Sequence, residues 1–526
     1  MRGKAVMIQG TASYVGKTTI VAALCRILSK AGLKVAPFKA QNMSLNSYVT
    51  PDGKEISRAQ ALQAFAAGVE PRVEMNPILL KPKGRMVSQV VLMGEPYRDI
   101  SAGDYYSEFA LNSGIHVVEK SLNSLLSEFE VVIIEGAGSP AEINLYQHEI
   151  TNMRVARLAD APVFLVADIE RGGVFASIVG TISLLEPNDR ERVKGVIINK
   201  FRGDPSVLEP GLKKLEELTG KPVLGVVPYV ENLDLPWEDS VSLDDLKGGE
   251  SSGFNVAVIR LPFISNFTDI LPLIAAGMHV YQVRSSNRLR NPDIVIIPGT
   301  KNTIHDLKWL KRERFDKEIL RLRRNGVPII GICGGYQILG KKLVDPHGIE
   351  GGIAGKELEG LGLLDVETRF SSYTKRTSRV TAEVLVGGPL LGQSVGKRIR
   401  AYEIHMGETR PGSDKCPFRI FPDNGPGAKA HYDGAISSDG LVFGSYLHGL
   451  FDDGTITRAL LDYLNQKKGG RKVEGIGEER ASIEKTWEGS LDLFCTTLCS
   501  SVDIERILEF AQIRTRRIRG SWKSSG

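Results

Sequence analysis

The segment Gly331-Ile332-Cys333-Gly334-Gly335-Tyr336-Gln337 sets a thiol between glycines, directly after the apolar run Val327–Ile332. A sharp strand-to-helix turn lifts such a side chain out of a sheet, and the glycines remove the clash a Cβ would make. The N-terminus of the following helix would lower the thiol pKa. The Gly334 amide is placed to stabilise an oxyanion, and the turn Ile297-Pro298-Gly299-Thr300-Lys301 offers a second donor in the Gly299 amide region. The chemistry implied is nucleophilic attack on an acyl carbon through a thioester. A buried structural cysteine is the alternative, and flanking glycines argue against it. The base should be a histidine at another strand end. His448, in Gly444-Ser-Tyr-Leu-His448-Gly449, is favoured. His405, in Tyr402-Glu-Ile-His-Met-Gly407, competes.

A second chemical centre opens the chain. The first apolar run ends in Gly10-Thr11-Ala-Ser-Tyr-Val-Gly16-Lys17-Thr18-Thr19, with a helix expected to follow. Such a loop turns backbone N–H groups onto phosphate oxygens, and the helix N-terminus adds its dipole. Gly10, Thr11, Gly16, Lys17, Thr18 and Thr19 therefore read as an ATP-phosphate cradle, with the Thr18 hydroxyl as a Mg²⁺ ligand. The usual pattern has four residues between its glycines. Here there are five, with Thr11 at the usual position of the first glycine. That departure resembles the loop of dethiobiotin synthetase, an ATP enzyme that activates a carboxylate.

Glu135 and Asp168 lie just past apolar runs, where ligands meet an open parallel sheet. Glu135, opening Glu-Gly-Ala-Gly-Ser, is the favoured metal ligand. Asp168 reads as readily as a carboxylate capping a loop. Asn199, after Val196–Ile198, can pair with a purine edge. Lys39, after Val35–Phe38, can face a γ-phosphate or a substrate carboxylate. Both also read as surface residues. Asp52, in Pro51-Asp52-Gly53, looks like an ordinary turn.

These residues need elements to hold them. Short Val- and Ile-rich runs at Ala5–Ile8, Val35–Phe38, Val131–Ile134, Val163–Ala167, Val196–Ile198 and Val223–Val227 alternate with helical stretches such as Lys17–Lys30. Continuous apolar runs suit strands buried on both faces of a parallel sheet. The pattern predicts a doubly wound α/β domain. Polar, glycine-rich residues at 238–253 suit a linker. Alternation then resumes at Val256–Ile259, Ile294–Ile297, Val327–Ile332 and Leu441–Tyr446. The expected fold is α/β, with two α/β domains at 1–245 and 252–465. A mainly helical extension at 466–526 has no evident role.

The chain has 526 residues with 42% hydrophobic and 25% charged, which allows two or three globular cores. A net charge of +5 is too slight for a nucleic-acid footprint. Arg514, Arg516, Arg517 and Arg519 read as a solvated tail. Five scattered cysteines without a Cys-x-x-Cys pair exclude a disulfide framework and suit a reducing cytoplasm. Cys495 and Cys499 fit one packed face of a helix. No signal peptide and no apolar run of about 20 residues is present. An oligomer is compatible with the sequence.

A family resemblance draws these motifs together. Gln9-Gly-Thr-Ala-Ser, Pro37-Phe-Lys-Ala-Gln-Asn-Met-Ser-Leu-Asn-Ser-Tyr-Val-Thr-Pro-Asp-Gly53 and Glu135-Gly-Ala-Gly-Ser-Pro-Ala-Glu-Ile-Asn144 are similar to segments of the cobyric acid synthase family. So are Asp168-Ile-Glu-Arg-Gly-Gly-Val-Phe-Ala176, Asn199-Lys-Phe-Arg-Gly-Asp204, Ser265-Asn-Phe-Thr-Asp269, Cys333-Gly-Gly-Tyr-Gln337 and Tyr402-Glu-Ile-His-Met-Gly407. The similarity spans roughly residues 5–455 and implies a P-loop synthetase domain followed by a class I glutamine amidotransferase-like domain. It implies ATP- and glutamine-dependent amidation of the b, d, e and g carboxylates of adenosylcobyrinic acid a,c-diamide, giving adenosylcobyric acid. It places Lys39, Gln41 and Asn42 with the corrinoid substrate and adds Asp52 beside Thr18 and Glu135 as a metal residue. Most class I glutamine amidotransferases carry glutamate two residues after the histidine. Leu450 stands there here, as is typical of this branch, leaving a Cys–His dyad or a histidine oriented by another group. Phe263 and Leu271 depart from the family pattern at positions that bear on the domain interface or ammonia passage. Two rivals remain. One is cobyrinic acid a,c-diamide synthase. The other is a partitioning-type ATPase switch, which the first domain alone would fit.

Overall fold

The six apolar runs of the first half pair into one parallel sheet. Its order is Val223–Pro228, Val193–Phe201, Val163–Asp168, Lys4–Gly10, Val131–Glu135 and Val35–Phe38. The computed structural model describes residues 2–84, 86–231, 233–235, 253–423, 429–468 and 483–515. The central strands are buried on both faces, which is why they carry no alternation. Lys4–Gly10 lies between Val131–Glu135 and Val163–Asp168, and the connection between those two strands crosses over it, so the strand order reverses there. A crevice opens at the carboxyl end of such a switch point. Register brings Ile8 level with Glu135, Gly10 with Val166 and Asp168 with Asn199, so the loops meant to bind nucleotide share one edge.

The sequence reading missed a second sheet in this half. Gln41–Met43, Ile78–Gly84, Val87–Leu92 and Glu95–Ser101 form four strands beside the main sheet.

The second half repeats the logic. Ile329–Ile332 sits between Ile294–Ile297 and Val442–Ser445, all parallel. The loops leaving these three strands carry Gly299, Cys333 and His448. A five-stranded antiparallel layer covers that end, and its strand Arg398–His405 pairs Tyr402 with His448.

The chain then returns to its beginning. Helices Ile483–Ser501 and Ile504–Phe510 pack on the first half, with Trp487, Leu491, Phe494, Cys495 and Leu498 in one buried cluster with Ile20, Leu24 and Ile27. Asp503 N–H donates to Leu224 O at 2.8 Å, and Arg26 pairs with Asp492 at 2.7 Å. Cys495 is buried and Cys499 half-buried against this core. The linker residues 238–252, with the expected boundary between 245 and 252, lie outside the described residues. So do Arg516, Arg517 and Arg519.

The two halves meet across a polar, buried seam. Glu55, with no exposed surface, accepts from Lys81 at 2.6 Å and from Lys375 of the second half. Burial alone would raise the Glu55 pKa, but the two ammonium groups hold it well below the usual carboxylate range. Val49 of the first half packs with Tyr402 and Ile404 of the second.

Candidate active sites

The glycine loop is shaped by contacts that only glycine allows. A Cβ on Gly10 would lie 2.6 Å from Val15 and 2.9 Å from the Lys17 ammonium. Gly16 has φ +99° and presses on the Asn199 amide, where a Cβ would come within 2.1 Å. Asn199 donates to Val15 O at 2.8 Å, so its side-chain N–H bond braces the loop from beneath. Thr11 N–H donates to Val166 O, tying the loop to the neighbouring strand. The Lys17 ammonium arches back over the loop to Ala12 O and Gly138 O, at 2.9 and 3.1 Å. Thr18 and Thr19 stand half-buried in the first turn of helix Lys17–Lys30.

Glu135 gathers the centre of this site. Its carboxylate is fully buried and accepts from the Thr18 hydroxyl and the Lys39 ammonium, both at 2.8 Å. Gln63 and Gln60 donate to its other oxygen at 2.5 and 3.4 Å. Thr18, Glu135 and Lys39 are thus brought together. A hydroxyl and one carboxylate beside a phosphate cradle match how Mg²⁺ is held by few protein oxygens, with phosphate and water completing its shell. Among the described residues there is no cluster of three or more His, Cys, Asp or Glu that could hold a metal without the nucleotide.

Other candidates fall elsewhere. Asp52 sits exposed in the turn between Ser47–Val49 and Glu55–Ser57, where Thr50 donates to it at 2.5 Å. Asn42 is buried, and its amide donates to Ser57 and Gln60 at 2.7 and 3.0 Å. Gln41 is half-buried and accepts from the Tyr105 hydroxyl. Asp168 accepts from Glu170 N–H and from Lys200, both at 2.8 Å, and caps its own loop.

In the second half the backbone at Cys333 is strained. Cys333 has φ +52° and ψ −107°, outside the regions an ordinary side chain prefers. A Cβ on Gly331 or Gly335 would collide with backbone at 2.8 or 1.9 Å. A Cβ on Gly334 would lie 3.0 Å from the Thr300 backbone nitrogen, so the Cys333 turn packs directly on the Gly299–Thr300 turn. His448 is 1% exposed and lies beside Cys333, whose thiol donates to Ile404 O at 3.5 Å. Its Nδ1 meets Asp269 Oδ2 at 2.7 Å, while Gly449 N–H donates to Asp269 Oδ1 at 2.9 Å. Burial alone would lower the His448 pKa, but Asp269 and Cys333 push it up to about 10. His405 instead stacks on Tyr446 with ring centroids 3.6 Å apart and turns Nδ1 to Gly407 O. Burial takes its pKa down to about 4. A chamber beside Cys333 is lined by Lys301, Lys375 and Glu350, with Lys81 reaching in from the first half.

The sequence reading missed Asp269, Gln60 and Gln63. The glutamines lie three apart on a short helix, a spacing that any helix face shows. Asp269 is 179 positions from His448, and the resemblance of Ser265-Asn-Phe-Thr-Asp269 marked the segment without giving the carboxylate a role.

Comparison with known proteins places both halves. Residues 6–240 match the family described as a CobQ/CobB/MinD/ParA nucleotide binding domain, and residues 255–456 match a CobB/CobQ-like glutamine amidotransferase domain. A probable cobyric acid synthase of Methanosarcina acetivorans is 51% identical over 98% of this chain and 100% of its own length. One from Methanosarcina barkeri is 53% identical over the same shares. A cobyric acid synthase of Pelotomaculum thermopropionicum is 47% identical, over 96% of each chain. With two such halves, each holding its own cluster, matched over nearly its whole length, the chain belongs to the cobyric acid synthase family.

Proposed function

We propose that this chain uses ATP and glutamine to amidate the b, d, e and g carboxylates of adenosylcobyrinic acid a,c-diamide, giving adenosylcobyric acid. The observation that carries the reading is the pairing of two sites in one chain. A phosphate cradle centred on Glu135 stands in one half, and a Cys333–His448 pair at a strained turn stands in the other.

In the second half the Cys333 sulfur attacks the side-chain amide carbon of glutamine. The amides around Gly334 and Gly299 receive the developing oxyanion. His448, held protonated by Asp269, gives its proton to the departing nitrogen, and ammonia leaves a thioester. His448 then takes a proton from water as water attacks, releasing glutamate and restoring the thiolate. In the first half a corrin carboxylate oxygen attacks the γ-phosphorus of ATP, and ADP leaves. Ammonia then attacks the acyl carbon, loses a proton and expels phosphate. Each amide therefore consumes one ATP and one glutamine.

Lys17 and the loop amides hold the phosphates. Thr18 and Glu135 would hold Mg²⁺, which when bound neutralises phosphate charge. Lys39, paired with Glu135, stands ready to face either the γ-phosphate or the carboxylate that attacks it. Gln41, half-buried on its strand, is the substrate candidate nearest in sequence. The five free cysteines suit a cytoplasmic protein, and among the described residues no helix is long and apolar enough to cross a membrane.

The test is mass spectrometry of cobyrinic acid a,c-diamide incubated with the chain, ATP, Mg²⁺ and glutamine. Four successive replacements of OH by NH₂ are expected. No mass change despite glutamine hydrolysis would reject this acceptor. Amidation of cobyrinic acid at only two positions would instead assign the chain to a,c-diamide synthesis. A glutaminase assay separates both from an ATPase switch.

A further inference from the structure

The acid that orients His448 stands on a loop that the first half grips. Segment 265–270 leaves the second half's sheet and passes Leu45–Ser47 of the first half. Asn266 N–H donates to Leu45 O at 3.1 Å, and Ser47 N–H donates to the Asn266 side chain at 2.8 Å. Phe267 N–H donates to the Asn46 side chain at 3.1 Å. Asn46 and Asn266 are 1% and 3% exposed, so water cannot replace these bonds cheaply. Asn266 adopts φ +49°, which turns the chain so that Asp269 N–H closes onto Asn266 O at 3.1 Å. That turn aims the Asp269 carboxylate at both His448 Nδ1 and Gly449 N–H. The same loop steadies the oxyanion turn, because Ser265 N–H donates to Gly299 O at 2.8 Å.

Resting on the glutaminase reading above, we propose that Asp269 is the positioning residue of His448 and that Leu45–Ser47 of the nucleotide-binding half holds it in place. Glutamine hydrolysis then depends on the docking of the ATP-using half. The third member of the triad comes not from the strand that bears the histidine but from a loop locked by the other half. Ammonia is released only where an acceptor site is docked to use it. Arg58, Tyr402 and Asp452 also surround the Asp269–His448 pair, and Cys333 faces its other side.

The experiment uses the full chain with Asp269→Asn, Asp269→Glu, Asn46→Ala and Cys333→Ala. Glutamine hydrolysis is followed across pH, and amide formation is followed separately with ammonium salts. Asp269→Asn should lower kcat for glutamine by on the order of 10³–10⁴-fold, as when a triad acid becomes an amide. Its pH profile should shift to lower pH as His448 loses its anionic partner, while ammonium-supported synthesis stays intact. Asp269→Glu should recover part of the loss. Asn46→Ala should lower kcat for glutamine by about 10–100-fold, the scale of a slightly misplaced group, again sparing ammonium-supported synthesis. Wild-type hydrolysis and an unshifted profile in Asp269→Asn would overturn the positioning role. Equal loss with both nitrogen donors would overturn it too, by making Asp269 a prop of the fold. Full hydrolysis in Asn46→Ala would overturn the cross-half hold. If Cys333→Ala still hydrolyses glutamine, the underlying glutaminase reading fails instead.

Discussion

In the proposed mechanism Cys333 serves glutamine and Lys17 serves ATP, and each can be removed alone. A Cys333→Ala chain should lose glutamine-dependent amidation and keep amidation with ammonium salts, because the phosphate site stands in the other half. Parallel rate assays with the two donors check this, and equal loss would break the division. Lys17→Ala should fail with either donor, since its ammonium organises the loop at Ala12 and Gly138 and is the group proposed to hold the phosphates. Both turns were legible in the sequence because their geometry imposes local glycines, and glycine spacing is visible without a fold. Asp269 was not legible. Its partner is far along the chain, and the position where sequence habit seeks an acid is Leu450. Asn42 and Asp52 are harder to read for the opposite reason. A polar residue inside a family string looks like a ligand contact, yet Asn42 spends its amide on Ser57 and Gln60, and Asp52 closes a turn.

The strands most easily read were those buried on both faces, such as Val131–Glu135 and Ile329–Ile332, whose unbroken apolar runs are their packing made visible. Gln41–Met43 and Glu95–Ser101 escaped notice because short strands with polar faces carry too few apolar residues to set a period. The terminal helix Ile483–Ser501 was legible as a helix but not in its placement, since an apolar stripe does not name the surface that receives it. Its stripe completes the core over helix Lys17–Lys30, directly behind the phosphate loop. Phe494→Ala should therefore cost about 3–5 kcal/mol, as for other buried phenylalanines, and lower Tm. Thr496→Ala, on the exposed side of the same helix, should change little. Calorimetry of both variants checks this. Equal melting temperatures would mean the tail does not belong to that core.

At the scale of the whole molecule, two buried histidines give stability a pH optimum. His405 is held neutral, with its pKa brought from an ordinary 6.5 down to about 4 by burial. Its unfolded form binds a proton where the folded form refuses it. The contribution is full above 6.5 and is lost as pH falls toward 4, at about 3 kcal/mol for a shift of this size. His448 has the opposite sign. Asp269 and Cys333 raise its pKa to about 10, so its contribution is full below 6.5 and is lost as pH rises toward 10. Both rings belong to the second half, packed on either face of strand Arg398–His405 and its neighbour. Denaturant midpoints for the full chain should therefore fall on both sides of neutrality. The acid limb should flatten in His405→Asn, which cannot take up the proton. The alkaline limb should flatten in Asp269→Asn, which removes the charge that holds the His448 proton. An Asp269→Asn chain that kept its alkaline limb would show that His448 is not the group losing its proton there. The acid limb would then stand alone as the signature of the buried pair.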